Sequence, residues 1–146
     1  MVNYVKHEVI VTEEILDYVK GEIDFDFNKI IPTPPHIYQG NLGHSEEEEY
    51  GKNNCWYEWR IFNWGTKWNA IDVKIKGYVV TFETAWKSPD SIFRCLSKIF
   101  PDEIITVKYA DEDIGFNCDY VIYKNGLRTR IEIENEKLFA KELWKR

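Results

Sequence analysis

Ala70-Ile71-Asp72-Val73-Lys74-Ile75-Lys76-Gly77-Tyr78-Val79-Val80-Thr81-Phe82-Glu83-Thr84-Ala85 reads as two strands about a glycine turn, and that reading decides the fold class. Ile71, Val73 and Ile75 alternate with Asp72, Lys74 and Lys76, the period-two pattern of a strand with one buried face. Gly77 makes the turn and residues 78–85 return as the second arm of a hairpin. Beyond it, Ser88-Pro89-Asp90 supplies a cap and a proline at the first helical position. Ile92, Phe93, Leu96, Ile99 and Phe100 then form a helical stripe that Pro101 ends.

Three strands follow, over 104–110, 116–124 and 127–134. The turn Asp111-Glu112-Asp113 separates the first two and Asn125-Gly126, a strong hairpin signal, the last two. Asn135 caps a final helix whose Leu138, Phe139, Leu143 and Trp144 can dock. An antiparallel sheet with helices packed on one face is the α+β solution for such a series.

Upstream, residues 3–11 favour a strand, and Thr12 with Glu13 and Glu14 opens a helix carrying Ile15, Leu16, Tyr18 and Val19. Gly21 stops it, and residues 25–31 read as a second strand ended by Pro32, making an N-terminal β-α-β element. Prolines 32, 34 and 35 and the run Glu46-Glu47-Glu48-Glu49 mark a long acidic loop. The expected organisation is one domain: a β-α-β element over 1–31, the loop over 32–54, and an α+β core over 55–146.

Four of the six tryptophans fall in Cys55-Trp56-Tyr57-Glu58-Trp59-Arg60-Ile61-Phe62-Asn63-Trp64-Gly65-Thr66-Lys67-Trp68. Residues 55–64 read as a helix capped by Asn54 and stopped by Gly65. Tyr57, Ile61, Trp64 and Trp68 share one face, while Trp56, Trp59 and Phe62 lie elsewhere around the cylinder. A helix apolar on several sides is normally buried between layers. Trp56 and Trp59 are the rings expected to keep an edge for recognition.

Asp26-Phe27-Asn28-Lys29-Ile30-Ile31-Pro32-Thr33-Pro34, then Trp56-Tyr57-Glu58-Trp59-Arg60 and Asn63-Trp64-Gly65-Thr66-Lys67-Trp68-Asn69-Ala70, resemble a family of small phage and plasmid proteins. That family is known for the YubB type and for a ferredoxin-like domain in proteins of an aphid-endosymbiont phage. The resemblance runs on through residues 78–86 and Ser88-Pro89 and covers roughly 24–134. It implies a ferredoxin-like fold and a home in a mobile genetic element, and it implies no catalytic residues.

Composition narrows the function classes. A net charge of −6 repels polyphosphates overall, so any nucleic-acid surface must be local. Three isolated cysteines, Cys55, Cys95 and Cys118, argue against a disulfide framework and for a reducing compartment. With no leader-like apolar stretch at the start, the expected location is the cytoplasm of the bacterial host. His36, His44 and Cys55 lack metal-ligand spacing, and neither a Gly-x-Ser-x-Gly elbow nor a phosphate-cradling glycine loop occurs. No metal, cofactor or catalytic residue is therefore expected. His7 is expected on a strand facing water or a carboxylate. Buried hydrophobe is the default for the cysteines, although the helix N-terminus could lower the thiol pKa of Cys55.

Two binding surfaces emerge. One is acidic and aromatic: Glu46, Glu47, Glu48, Glu49, Asp111, Glu112 and Asp113 with Trp56 and Trp59, suited to a basic groove on a protein. Its expected partner is a host or phage protein, concretely a nuclease of bacterial immunity blocked in the anti-CRISPR manner. The rival is a nucleic-acid-binding sheet face made by Lys74, Lys76, Tyr78, Phe82, Arg128 and Arg130. The stretch Lys76-Gly77-Tyr78-Val79-Val80-Thr81-Phe82-Glu83 begins like an RNA-recognition strand, but Val80 and Glu83 stand where stacking aromatics are needed.

Overall fold

Alternation draws the first strand into the middle of the molecule. In β1 (Tyr4–Ile10), Val5, His7 and Val9 are fully buried while their neighbours face the other side. The computed structural model, which describes residues 2–146, pairs β1 antiparallel with β3 (Val79–Ala85) and with β4 (Ile105–Asp111). With β2 (Ile71–Lys76), β5 (Cys118–Lys124) and β6 (Leu127–Arg130) these form one six-stranded sheet of order β2-β3-β1-β4-β5-β6. The β2-β3-β1-β4 portion is the order of a split β-α-β pair, the ferredoxin-like arrangement.

Both hairpins follow local rules. Gly77, at φ +63°, is the first of two loop residues between Lys76 and Val79. Asn125 and Gly126 both take positive φ, as a type I′ turn demands. Edge strand β2 breaks register between Ile71 and Lys74, where Asp72 sits at φ +53°.

Helices cover both faces, not one. On the first, α1 (Glu13–Val19), α2 (Phe27–Ile30) and α5 (Asp90–Ile99) bury Ile15, Val19, Phe27, Ile30, Ile92, Phe93 and Leu96 against the sheet. On the second, α6 (Glu136–Trp144) packs Ala140 and Leu143 on Ala110, and Trp144 donates to the Ala110 carbonyl at 2.9 Å. Ala110 alternates with inward Val107 and Tyr109 along β4, so its small side chain marks a seat for a helix on the reverse side.

The expected strand over 25–31 is instead one helical turn. Asp26 outcompetes a ladder: its carboxylate accepts from the Asn28 and Glu22 amides and from Asn69 Nδ2, at 2.9, 3.1 and 2.9 Å. Among the described residues no N-terminal β-α-β element forms, and β1 serves the central sheet. Gly21 lets the Asp26 carboxylate approach, since a Cβ there would collide with Oδ2. Residues 44–54, expected as loop, hold α3 (His44–Tyr50) and a 3₁₀ turn (Lys52–Asn54).

The tryptophan helix α4 (Trp56–Asn63) has no fully buried residue, and Phe62 is 87% exposed. Burial belongs to Trp64 just beyond it, packed edge-on to Phe27 and Trp59 and donating to the Ile31 carbonyl at 2.9 Å. The Gly65 amide closes the helix on Arg60, with φ +86° at Gly65. Cys55, not Asn54, is the N-cap residue.

Asn69 completes the joint. Its Oδ1 accepts from the amides of Phe27 and Ala70 while its Nδ2 donates to buried Asp26. Asn69→Ala strips two amides of their acceptor and a buried carboxylate of a donor, and is expected to lower stability by about 2–4 kcal/mol. Urea unfolding measures it, and a loss under about half a kcal/mol would show the joint to be incidental.

Candidate functional site

Two regions gather functional groups. The first is the outer surface of α3 and α4. Glu46, Glu47, Glu48 and Glu49 ride on a helix with no buried residue, held through a stack of Tyr50 on Tyr38 with centroids 4.5 Å apart. The Asn54 amide group adds a tie to the Tyr50 carbonyl at 3.0 Å. Trp56 is committed on both sides, its indole donating to Gly40 at 2.9 Å and its ring carrying Arg60 at 4.9 Å. Trp59 packs on Trp64 and, with Asn53, Glu58, Phe62 and Asn63, lines a hollow of about 370 Å³. Phe62 is thus the most exposed ring of this surface, ahead of Tyr50, though no sequence signal ranked it above Trp56 or Trp59.

The acidic turn is a different matter. Asp111 is buried, accepting from Asn3 Nδ2 at 3.1 Å and from the Asp113 amide at 2.9 Å. It shapes the turn and offers no carboxylate to a partner. Glu112 is half-buried and Asp113 exposed, so the acidity that remains accessible is thin there.

The basic sheet face does not assemble. Lys74 and Lys76 lie on β2 and Arg128 and Arg130 on β6, the two opposite edges of the sheet. Their faces differ too. Arg128 pairs across from inward Tyr123, whereas Lys74 pairs with Thr81, the neighbour of inward Val80 and Phe82. Phe82 is fully buried among Phe25, Phe27, His7 and Phe93, out of reach of any base. Tyr78 is exposed in the hairpin turn.

The second region lies where β3 runs into α5. Asp90 accepts from the Tyr123 hydroxyl at 2.7 Å and from Arg94 Nε at 2.7 Å, with Arg128 Nε 3.7 Å away. Arg128 and Arg130 both grip Asp119, at 3.0 and 2.7 Å. Burial alone would raise the Asp119 carboxyl, yet hydrogen bonds from the two arginines hold it below the usual carboxylate range. Burial and the Asp90 carboxylate both push the Tyr123 hydroxyl up, so it stays a donor. Asp90, Arg94, Tyr123 and Arg128 border a hollow of about 380 Å³. The signal for it was the Asn125-Gly126 turn, whose register puts Asp119, Val121 and Tyr123 on one face with Arg128 and Arg130.

His7 reaches the same place from below, contrary to the expectation of water or a carboxylate. Its Nδ1 faces the Val5 carbonyl at 3.1 Å, which can only accept, so Nδ1 carries the proton and Nε2 accepts from Ser88 Oγ at 2.9 Å. The pair has the shape of a nucleophile and its base. Burial, however, lowers the imidazole pKa to about 3, against weaker support from the Val5 and Phe82 backbone. A base that weak orients the Ser88 hydroxyl without activating it at neutral pH. Burial also raises the Cys55 thiol, with Glu47 and Glu46 adding to the rise, opposite to activation by a helix N-terminus.

A six-stranded antiparallel sheet with the β2-β3-β1-β4 order and helices packed on it defines a ferredoxin-like α+β protein. Residues 63–143 match the family model described as the ferredoxin-like domain in Api92-like protein, and the chain belongs to that family. No curated protein and no solved structure matches it. Among the described residues no helix is long and apolar enough to cross a membrane.

The buried imidazole predicts a pH dependence. Below pH 6.5 the unfolded chain binds a proton at His7 that the folded chain refuses, so stability present above that pH is lost as it falls toward 3. Between pH 6.5 and roughly 5, wild type should lose up to about 1.4 kcal/mol per pH unit more than a His7→Gln variant. Parallel denaturation curves for the two proteins across that window would remove His7 as the cause.

Proposed function

We propose that this chain is an accessory protein of a phage or other mobile element, of the YubB type, that works by binding a protein rather than by catalysis. The concrete form is inhibition of a bacterial immune nuclease, as an anti-CRISPR does, in the cytoplasm of the host cell. The observation that carries this reading is Phe62, 87% exposed at the rim of a hollow that it lines with Trp59 and three polar residues, beside the acidic helix α3. A large ring left in water beside a depression is available to anchor an interface, and aromatic rings are favoured in that role.

Charge names the partner's chemistry. Residues 44–63 carry five glutamates against one lysine and one arginine, a local net charge of −3. Glu48 is tied to His44 and Glu58 to Lys52, leaving Glu46, Glu47 and Glu49 without a cationic partner among the described residues. A basic protein surface with an apolar socket fits this patch. Its approach would be accelerated by the glutamates and slowed by salt.

The test compares captures from host lysate at low salt. Phe62→Ala, and a variant with Glu46, Glu47 and Glu49 changed to Gln, should each hold the captured protein at least about tenfold more weakly. Thermal stability should not change, because none of these side chains is buried. A partner retained equally by wild type and both variants would place the interface elsewhere.

A further inference from the structure

The hollow bordered by Arg94 and Arg128 has a neighbour. Tyr57, Glu58, Ile61, Gly65 and Trp86 line a second depression of about 550 Å³, and both share Lys87, Ser88 and Asp90. The two therefore adjoin along the segment that links β3 to α5 and together form a shallow groove across it. One half is cationic: Lys87, Arg94 and Arg128 face it with Asp90 as the single carboxylate of its lining. Arg94 and Arg128 are already paired with Asp90 and Asp119, so the surplus is small, but on a protein of net charge −6 three cations converging on one hollow still mark a place for an anion. Lys87 makes no ion pair among the described residues, so its ammonium is uncommitted.

The other half presents aromatic surface. Trp86 holds φ +66°, a left-handed conformation that a bulky residue rarely adopts. Its neighbours enforce it. The Trp86 amide donates to Asn3, the Trp86 carbonyl accepts from Asn117, and Thr84 and Thr66 hydroxyls bind the Lys87 and Ala85 carbonyls. Lys67 Nζ stands 4.2 Å from the ring centre, sharing its charge with Trp68. Strain held this firmly at the lip of a groove fixes an indole, 37% exposed, where packing alone would not put it.

Between the halves lie acceptors. Ser88 gives its proton to His7 and so offers the groove lone pairs, and the Asp90 carboxylate lies beside it. Cations at one end, acceptors in the middle and an indole at the other match phosphate, ribose hydroxyls and base in turn. We propose that this groove binds a nucleotide, with its phosphate at Lys87, Arg94 and Arg128 and its base against Trp86. Free mononucleotides and the phosphorylated end of a nucleic-acid strand share this chemistry.

Titrations of AMP, GMP, CMP and UMP, and of a short 5′-phosphorylated single strand, followed by NMR at the Trp86 indole and Lys87 amide, test it. At least one mononucleotide or the strand should bind at the groove. Adenosine and inorganic phosphate, each lacking half of the ligand, should bind at least about tenfold more weakly than AMP if AMP binds. Saturation by mononucleotides identifies the free ligand. Response to the phosphorylated strand alone, absent with its unphosphorylated counterpart, identifies the strand end. Lys87→Ala removes an exposed charge, and Trp86→Gly removes the ring while suiting the backbone it leaves behind. Each should weaken binding about tenfold with the fold intact by its NMR spectrum. Failure of every mononucleotide and the strand, or binding that both variants leave unchanged, overturns the proposal.

Discussion

The fold hangs on the burial of one indole. Trp64 sits fully enclosed between Phe27 and Trp59, with Arg60 over its ring at 5.1 Å and its N–H spent on Ile31. Without it, residues 20–70 would be a long excursion between α1 and β2, closed only at its ends. With it, α2 is pinned beneath the sheet and α4 is laid along the flank. The Asp26–Asn69 pair locks the same two segments a few residues away. An apolar anchor and a polar latch thus act on one joint.

Legibility in the sequence tracked the range of the forces involved. Gly77 and Asn125-Gly126 specify turns through their own backbone preferences, so the hairpins around them could be read directly. The stripe on α5 likewise names its own buried face, with Ile92, Phe93 and Leu96 inward. Residues 25–31 misled because Phe25, Phe27 and Ile30 suit a strand or a buried turn equally well. The deciding partner, Asn69, is forty-three positions away from Asp26. The same distance problem hid the seat of α6, not the helix itself. Its apolar side was evident, but which face of the sheet it covers depends on Ala110, whose meaning appears only with the strand order.

Functional residues divided along the same line. A glutamate run stays near the surface whatever surrounds it: Glu48 and Glu49 are exposed and Glu46 and Glu47 half-buried, on a helix with no buried residue. Asp111 and Phe82 are buried against expectation because a turn and a strand each have two sides, and residue type does not choose between them. His7 and Ser88, eighty-one residues apart, meet through the pairing of β1 with β3 and the path of the chain after it. Net charge misled in its own way, as an average that concealed the cluster of Lys87, Arg94 and Arg128.

The broken register of β2 carries a consequence for assembly. An open sheet offers its outermost strands as templates for another chain to extend. Here one border is kinked at Asp72 and carries Lys74 and Lys76, and the other is four residues long with Arg128 and Arg130 turned back onto Asp119. Neither border presents a flat run of free amides and carbonyls, so growth by strand addition, whether into fibrils or onto a partner's sheet, is discouraged at both ends. Recognition is left to surfaces built from side chains, which can be selective where a bare backbone cannot.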